Sequence, residues 1–173
     1  MDPTTSALVA EAMGAEGDLV EARLARGCRC FGAWLDGELA GYGWLSTKSE
    51  WIGELELEIT LGAREGYVWN CFTLAEQRRR GVLRSLLAGI RGCAHGEGLT
   101  RLWIGSVAIP AEKVFGPSGF TPTLLFASEV ISGYRWLQVK PVAGADPALV
   151  EAAHHAVGAP PGRFLRQSRT RRH

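Results

Sequence analysis

The stretch from Tyr67 to Val107 constrains the architecture of this chain more than any other. Tyr67-Val68-Trp69-Asn70-Cys71-Phe72-Thr73-Leu74 is an apolar, aromatic-rich run that reads as a strand. A basic turn follows, and then apolar residues recur at Leu83, Leu86, Leu87, Ile90 and Ala94. That spacing is helical, with Gly96 and Gly98 as stops. Leu102-Trp103-Ile104-Gly105-Ser106-Val107 reads as a buried strand. Strand, helix and strand make a βαβ unit, so the two strands should lie parallel with a right-handed crossover.

The segments around it favour antiparallel pairing. Residues 5–26 carry apolar positions at Leu8, Ala12, Leu19, Val20 and Leu24, which suggests two short helices closed by Gly27. Cys30 to Leu35 and Glu38 to Leu45 flank Asp36-Gly37, the pair that a type I′ hairpin turn prefers. Glu54 to Leu61 alternates acidic and apolar residues and reads as one half-exposed strand. A short helix is expected over 111–115, and then strands at 123–130 and 134–140 joined at Ser132-Gly133. Asp146-Pro147 announces a helix to Val157. The fold class is therefore α+β, with a mixed, mostly antiparallel sheet around a central parallel pair and flanking helices. Residues 1–140 are expected to form the main domain, and 141–173 a C-terminal helix and a mobile basic tail.

Composition narrows the function. The 173 residues are 46% hydrophobic and 21% charged, with a formal net charge of +1, so nothing global invites nucleic acid. The N-terminus lacks a secretory pattern, and no apolar run reaches the roughly 18 residues that span a bilayer. Cysteines stand at 28, 30, 71 and 93 without zinc spacing, which fits reduced thiols in a cytoplasmic protein with no metal site. The basic end, Arg163 to Arg172, has no interleaved aromatics and reads as a solubilising terminus.

The chemistry is concentrated in Thr73-Leu74-Ala75-Glu76-Gln77-Arg78-Arg79-Arg80-Gly81-Val82-Leu83-Arg84, where a strand ends and a helix begins. A helix N-terminus offers unpaired N–H groups and the positive end of the peptide dipoles, which together attract a phosphate. Arginines at that position oppose the dipole, and a bound anion removes the conflict. Neither a Walker loop nor a dinucleotide fingerprint is present.

This segment resembles the coenzyme A-binding motif of the GNAT N-acetyltransferases, with Arg78, Gly81 and Leu83 in its three fixed places. The resemblance spans roughly residues 28–140 and includes a Gly-Phe ending at Gly119-Phe120. It implies acetyl-coenzyme A as cosubstrate, held by Arg78 to Arg84 at the phosphates and by Phe72, Thr73 and Leu74 along its pantetheine arm. It also implies direct attack by an amine on the thioester, where alignment alone can lower a barrier by about 7–11 kcal/mol. Leu83 replaces a small residue of the motif, Phe115 stands where many relatives have tyrosine, and Ala108 where asparagine is common. Candidates for acid, base or orienting roles are Glu56, Asn70, Ser106 and Tyr134. The acceptor is expected to be a small-molecule or peptide amine, with a homodimer left open. The competing reading is a non-catalytic module of the same fold that binds coenzyme A or a partner.

Overall fold

The structure is a computed structural model that describes residues 3–106, 113, 115–132 and 134–166. They group into two compact units, residues 1–48 with 63–106, and residues 49–62 with 107–173. The whole is a mixed α+β fold.

The first unit opens with helices α1 (Pro3–Met13) and α2 (Leu19–Ala25). Strands β1 (Arg29–Leu35) and β2 (Glu38–Ser46) follow. The hairpin between them turns through Asp36 (φ 55°) and Gly37 (φ 87°), the two positive angles a type I′ turn needs. Two later strands belong to the same sheet and take the labels β5 (Glu65–Thr73) and β6 (Arg101–Ile104), with α3 (Val82–Gly96) between them. The order is β1-β2-β5-β6, antiparallel except for the parallel β5–β6 pair, as the βαβ pattern predicts.

Alternation along β2 explains how helices cover both faces. Tyr42 and Trp44 point to one face and pack with Val9, Met13 and Val20 of the first two helices. Gly41 and Gly43 point to the other, where a Cβ would lie 3.0 Å from Val82 and 3.2 Å from Leu86. The missing side chains let α3 settle closely on the sheet. Its Leu86, Leu87 and Ile90 are almost fully buried, each contributing about 1.5–3 kcal/mol of transfer free energy.

The second unit contains the β3 (Glu50–Ile52) and β4 (Leu57–Ile59) hairpin. It also holds β7 (Leu124–Ile131), β8 (Tyr134–Pro141), helix α4 (Pro147–Val157) and β9 (Gly162–Arg166). β7, β8 and β9 form an antiparallel sheet. Leu57, Leu137, Val139, Val157 and Ala159 make its core. Asp146 caps α4 by accepting the Ala148 N–H at 2.9 Å, as the Asp-Pro pair predicts.

Several expectations change. The Glu54–Leu61 alternation is divided: residues 53–56 turn, closed by Leu55 N–H to the Ile52 carbonyl and Glu56 N–H to the Gly53 carbonyl. Only Leu57–Ile59 is strand, because Gly53 and a positive φ at Glu56 (51°) favour the turn. The strand of residues 102–107 ends at Ile104. Gly162–Arg166 pair with β8, so this part of the terminus is sheet and not a mobile tail. Most of the helix expected over 111–115, and Ala108, lie outside the described residues. No described helix is long and apolar enough to cross a membrane.

Candidate functional site

The site is built on β5. Between the Trp44–Trp69 and Tyr42–Phe72 pairs the register shifts, so Asn70 and Cys71 together face Gly43. This is a β-bulge, and Asn70 takes a positive φ of 44°. In a regular strand, residues 69 and 72 would point to opposite faces. The extra residue keeps both on one face, with Trp69 6.1 Å from Trp44 and Phe72 stacked 5.8 Å from Tyr42.

Just before the bulge the parallel pairing stops. Val68 with Ile104 is the last paired position, and from Trp69 to Thr73 the β6-facing edge of β5 has no strand partner among the described residues. The two parallel strands are thus splayed, leaving main-chain groups beside Phe72 and Thr73 for an extended ligand. Leu74 turns away and donates its N–H to the Ala40 carbonyl at 3.0 Å.

A short 3-10 turn, Ala75–Gln77, leads to the basic segment. Arg78 is extended (φ −66°, ψ 155°), and Arg79 (φ 62°) and Gly81 (φ 81°) have positive φ on either side of Arg80. Such alternation of backbone hand turns successive N–H groups into a concavity that suits an anion. Gly81 is the N-cap of α3, and no side chain caps it. The Ser85 N–H reaches the Gly81 carbonyl at 3.0 Å, so Val82, Leu83 and Arg84 precede the first i to i−4 bond of the helix. A Cβ on Gly81 would meet nothing within 4 Å. The glycine is there for its backbone angle and for open space in front of the turn. Arg79 holds the same hand without being glycine, at about 1–2 kcal/mol of strain.

The arginines differ in their ties. Arg80 donates to Gln77 Oε1 at 2.6 Å and pairs with Asp36 Oδ2 at 3.3 Å. The Arg78 guanidinium stands 5.8 Å from the Phe72 ring, joining the turn to the splayed edge. Arg79 and Arg84 are exposed and have no acidic partner among the described residues. N–H groups ahead of the first i to i−4 bond, a capless helix start and guanidinium groups without an acidic partner among the described residues together suit an anion. Leu83, which stands where the motif has a small residue, is half-buried.

The four catalytic candidates separate. Asn70 sits at the bulge and Ser106 just beyond β6, both in the first unit. Glu56, in the β3–β4 turn, and Tyr134, at the start of β8, belong to the second unit. Phe115 is also in that unit, buried and edge-on to Phe120 at 6.3 Å. Two thiols near the bulge are unsuited to nucleophilic catalysis, since burial pushes both Cys30 and Cys71 up to about 12. Burial also raises Tyr42, which keeps its phenol protonated at neutral pH.

Glu16 and Arg23 escape the sequence reading. Arg23 is buried in α2 and pairs with Glu16 at 2.8 Å, and Asn70 Nδ2 donates to the same carboxylate oxygen at 3.2 Å. The available signal was an arginine three residues after Val20, on the apolar face of a helix.

Comparison with known proteins identifies the family and the fold. Residues 5–116 match the acetyltransferase (GNAT) family. No curated protein sequence matches significantly. Among solved structures, the aminoglycoside N-acetyltransferase AAC(6')-Iy, in complex with the bisubstrate analogue CoA-S-monomethyl-acetylneamine, superposes with a TM-score of 0.53 at 20% identity. That match covers 70% of this chain and 87% of the other. The same enzyme in complex with CoA gives 0.50 at 20% identity, covering 70% and 88%. An acetyltransferase of Trypanosoma brucei gives 0.50 at 13% identity, covering 70% and 89%.

Proposed function

Because this chain belongs to the GNAT acetyltransferase family, we propose that it transfers an acetyl group from acetyl-coenzyme A to an amine of a small molecule or peptide. The observation that carries the reading is the capless N-terminus of α3, preceded by positive φ at Arg79 and Gly81 and lying next to the splayed edge of β5. Bound acetyl-coenzyme A supplies an activated thioester. The chain's part is to hold and align it: Arg78 to Arg84 at the phosphates, and the main chain of Phe72 and Thr73 along the arm. Leu74, expected to join them, instead donates its N–H to the Ala40 carbonyl and accepts the Gln77 N–H at its own. A main-chain N–H at the bulge end of this edge is the donor best suited to an oxyanion. Asn70 can orient the acceptor but cannot take a proton.

The raised thiol pKa values of Cys30 and Cys71 favour direct attack by the amine over an acetyl-cysteine step. The test is thiol release from acetyl-coenzyme A against amines, amino sugars and peptides, with acetyl-coenzyme A binding measured alongside. Binding with release that depends on an amine supports the proposal. Binding without release under any acceptor favours the non-catalytic module.

A further inference from the structure

The Glu16–Arg23–Asn70 cluster has more construction behind it than a surface ion pair. Glu16 ends the Gly14–Glu16 turn that joins α1 to α2. Gly17 follows, and a Cβ there would lie 2.4 Å from the Ala10 carbonyl oxygen, so the turn closes onto α1 only with glycine. The Gly17 N–H donates to the Gly14 carbonyl at 2.9 Å, and Val20 N–H to the Gly17 carbonyl at 3.1 Å. Arg23 is 6% exposed, and its guanidinium lies 4.5 Å from the Trp69 ring centre and 5.3 Å from that of Trp44.

Both donors, Arg23 at 2.8 Å and Asn70 at 3.2 Å, use Oε2 of Glu16. Oε1 accepts no hydrogen bond among the described residues, and the side chain is 57% exposed. Neutralising a buried guanidinium requires one carboxylate oxygen near it. It does not require the carboxylate also to be tied to the β5 bulge. Asn70 lies within the unpaired stretch Trp69 to Thr73, so the carboxylate it holds stands next to the strand proposed to carry the thioester.

We infer that Glu16 is a specificity-determining residue whose carboxylate binds a cationic group of the acceptor. This deepens the acetyl-transfer reading and rests on it. Aliphatic amines have pKa values near 10, so they arrive charged, and a fixed carboxylate oxygen selects them over neutral molecules of the same shape. Arg23 and Asn70 act as positioning residues for that oxygen.

The experiment uses the full chain with saturating coenzyme A and three probes of equal length: cadaverine, n-pentylamine and n-pentanol. The indole N–H resonances of Trp44 and Trp69 report binding by NMR, since both nitrogens are buried without a hydrogen-bond partner among the described residues, close to Arg23. Both amines should bind at least about tenfold tighter than pentanol, the strength of one hydrogen bond to a charged group. Glu16→Gln should abolish that discrimination without altering coenzyme A affinity. Should Glu16→Gln fail to fold, the wild-type series and Asn70→Gly, which leaves the Arg23 pair intact and tolerates the positive φ, decide the matter. Pentanol binding as well as the amines, or discrimination surviving in a folded variant, overturns the inference. Thiol release recorded in parallel samples, with acetyl-coenzyme A in place of coenzyme A, separates the two readings. Turnover of an amine without Glu16 dependence sinks this inference alone, whereas Glu16-dependent amine binding without turnover sinks acetyl transfer and leaves the cation site standing.

Discussion

Replacing Gly81 by valine separates backbone geometry from side-chain contact at the proposed phosphate turn. Gly81 has φ 81°, and a Cβ there would meet no atom within 4 Å. The folded chain therefore loses no packing, and the penalty is conformational, about 1–2 kcal/mol for an L-residue of left-handed backbone and more for a β-branched one. For a chain of this size that lowers the melting temperature by roughly 2–8 °C, at about 2–4 °C per kcal/mol. The effect on ligand is larger than the strain alone. A turn that relaxes to negative φ swings the N–H groups ahead of Ser85 out of register with the phosphates, and each charged hydrogen bond lost removes about 1.5–3 kcal/mol. Acetyl-coenzyme A affinity should fall at least about tenfold by calorimetric titration. Gly81→Asn is the control, because asparagine tolerates left-handed backbone; it should keep most of both stability and affinity. An unchanged dissociation constant in Gly81→Val, with the melting temperature lowered as expected, would place the phosphates elsewhere and refute the reasoning.

Four further outcomes are expected. Acetyl-coenzyme A at about a hundred times its dissociation constant should add about 2.7 kcal/mol of stability, a rise of roughly 5–11 °C in a thermal melt; no rise would count against the whole site. Deleting residues 162–173 removes the strand paired with β8 over Leu137 and Val139, both fully buried, so melting should drop by several degrees and not stay constant as for a dispensable tail. Stability should decline from pH 9 towards 12: Cys30 and Cys71 stay protonated in the fold, raised from 9.0 to about 12 by burial, while the unfolded thiols ionise. The native state then binds more protons than the unfolded one, with a slope of about 1.4 kcal/mol per pH unit for each thiol, and Cys71→Ala should flatten the decline measured by denaturant titration. Phe115→Tyr should change turnover by less than about a hundredfold, since a thiolate leaves tolerably without a dedicated acid; a larger gain in thiol release would mark the natural chain as catalytically disabled.

The elements legible in the sequence are those whose cause is local. The βαβ unit follows from apolar spacing over 67–107, the first hairpin from Asp36-Gly37, and α4 from Asp146-Pro147. Where two local signals compete, the reading fails. Glu54 to Leu61 keeps a strand-like alternation across three residues that turn, because Leu55 packs against the core of the second unit from the turn as it would from a strand. The terminus misleads in the opposite sense: five arginines suggest solvent, yet β8 offers an edge that residues 162–166 complete.

The two halves of the proposed site differ for the same reason. Phosphate recognition at α3 depends on main-chain N–H groups, which every residue but proline supplies, so the only sequence mark it needs is a glycine where the chain must turn left-handed. Gly81 after three arginines is that mark, and it lies within one continuous segment. Charge selection at Glu16 depends on side chains 54 residues apart, brought together by a bulge in β5 and a turn closed by Gly17. Neither device has a local pattern that names its partner. The bulge is written in no motif; it emerges only when Trp69 and Phe72 must share the face that Tyr42 and Trp44 present. On the proposed reading, cosubstrate binding is written in a dozen consecutive residues, whereas the choice of acceptor belongs to tertiary packing and should change through single substitutions at Glu16 or Asn70 without disturbing the turn proposed to hold coenzyme A.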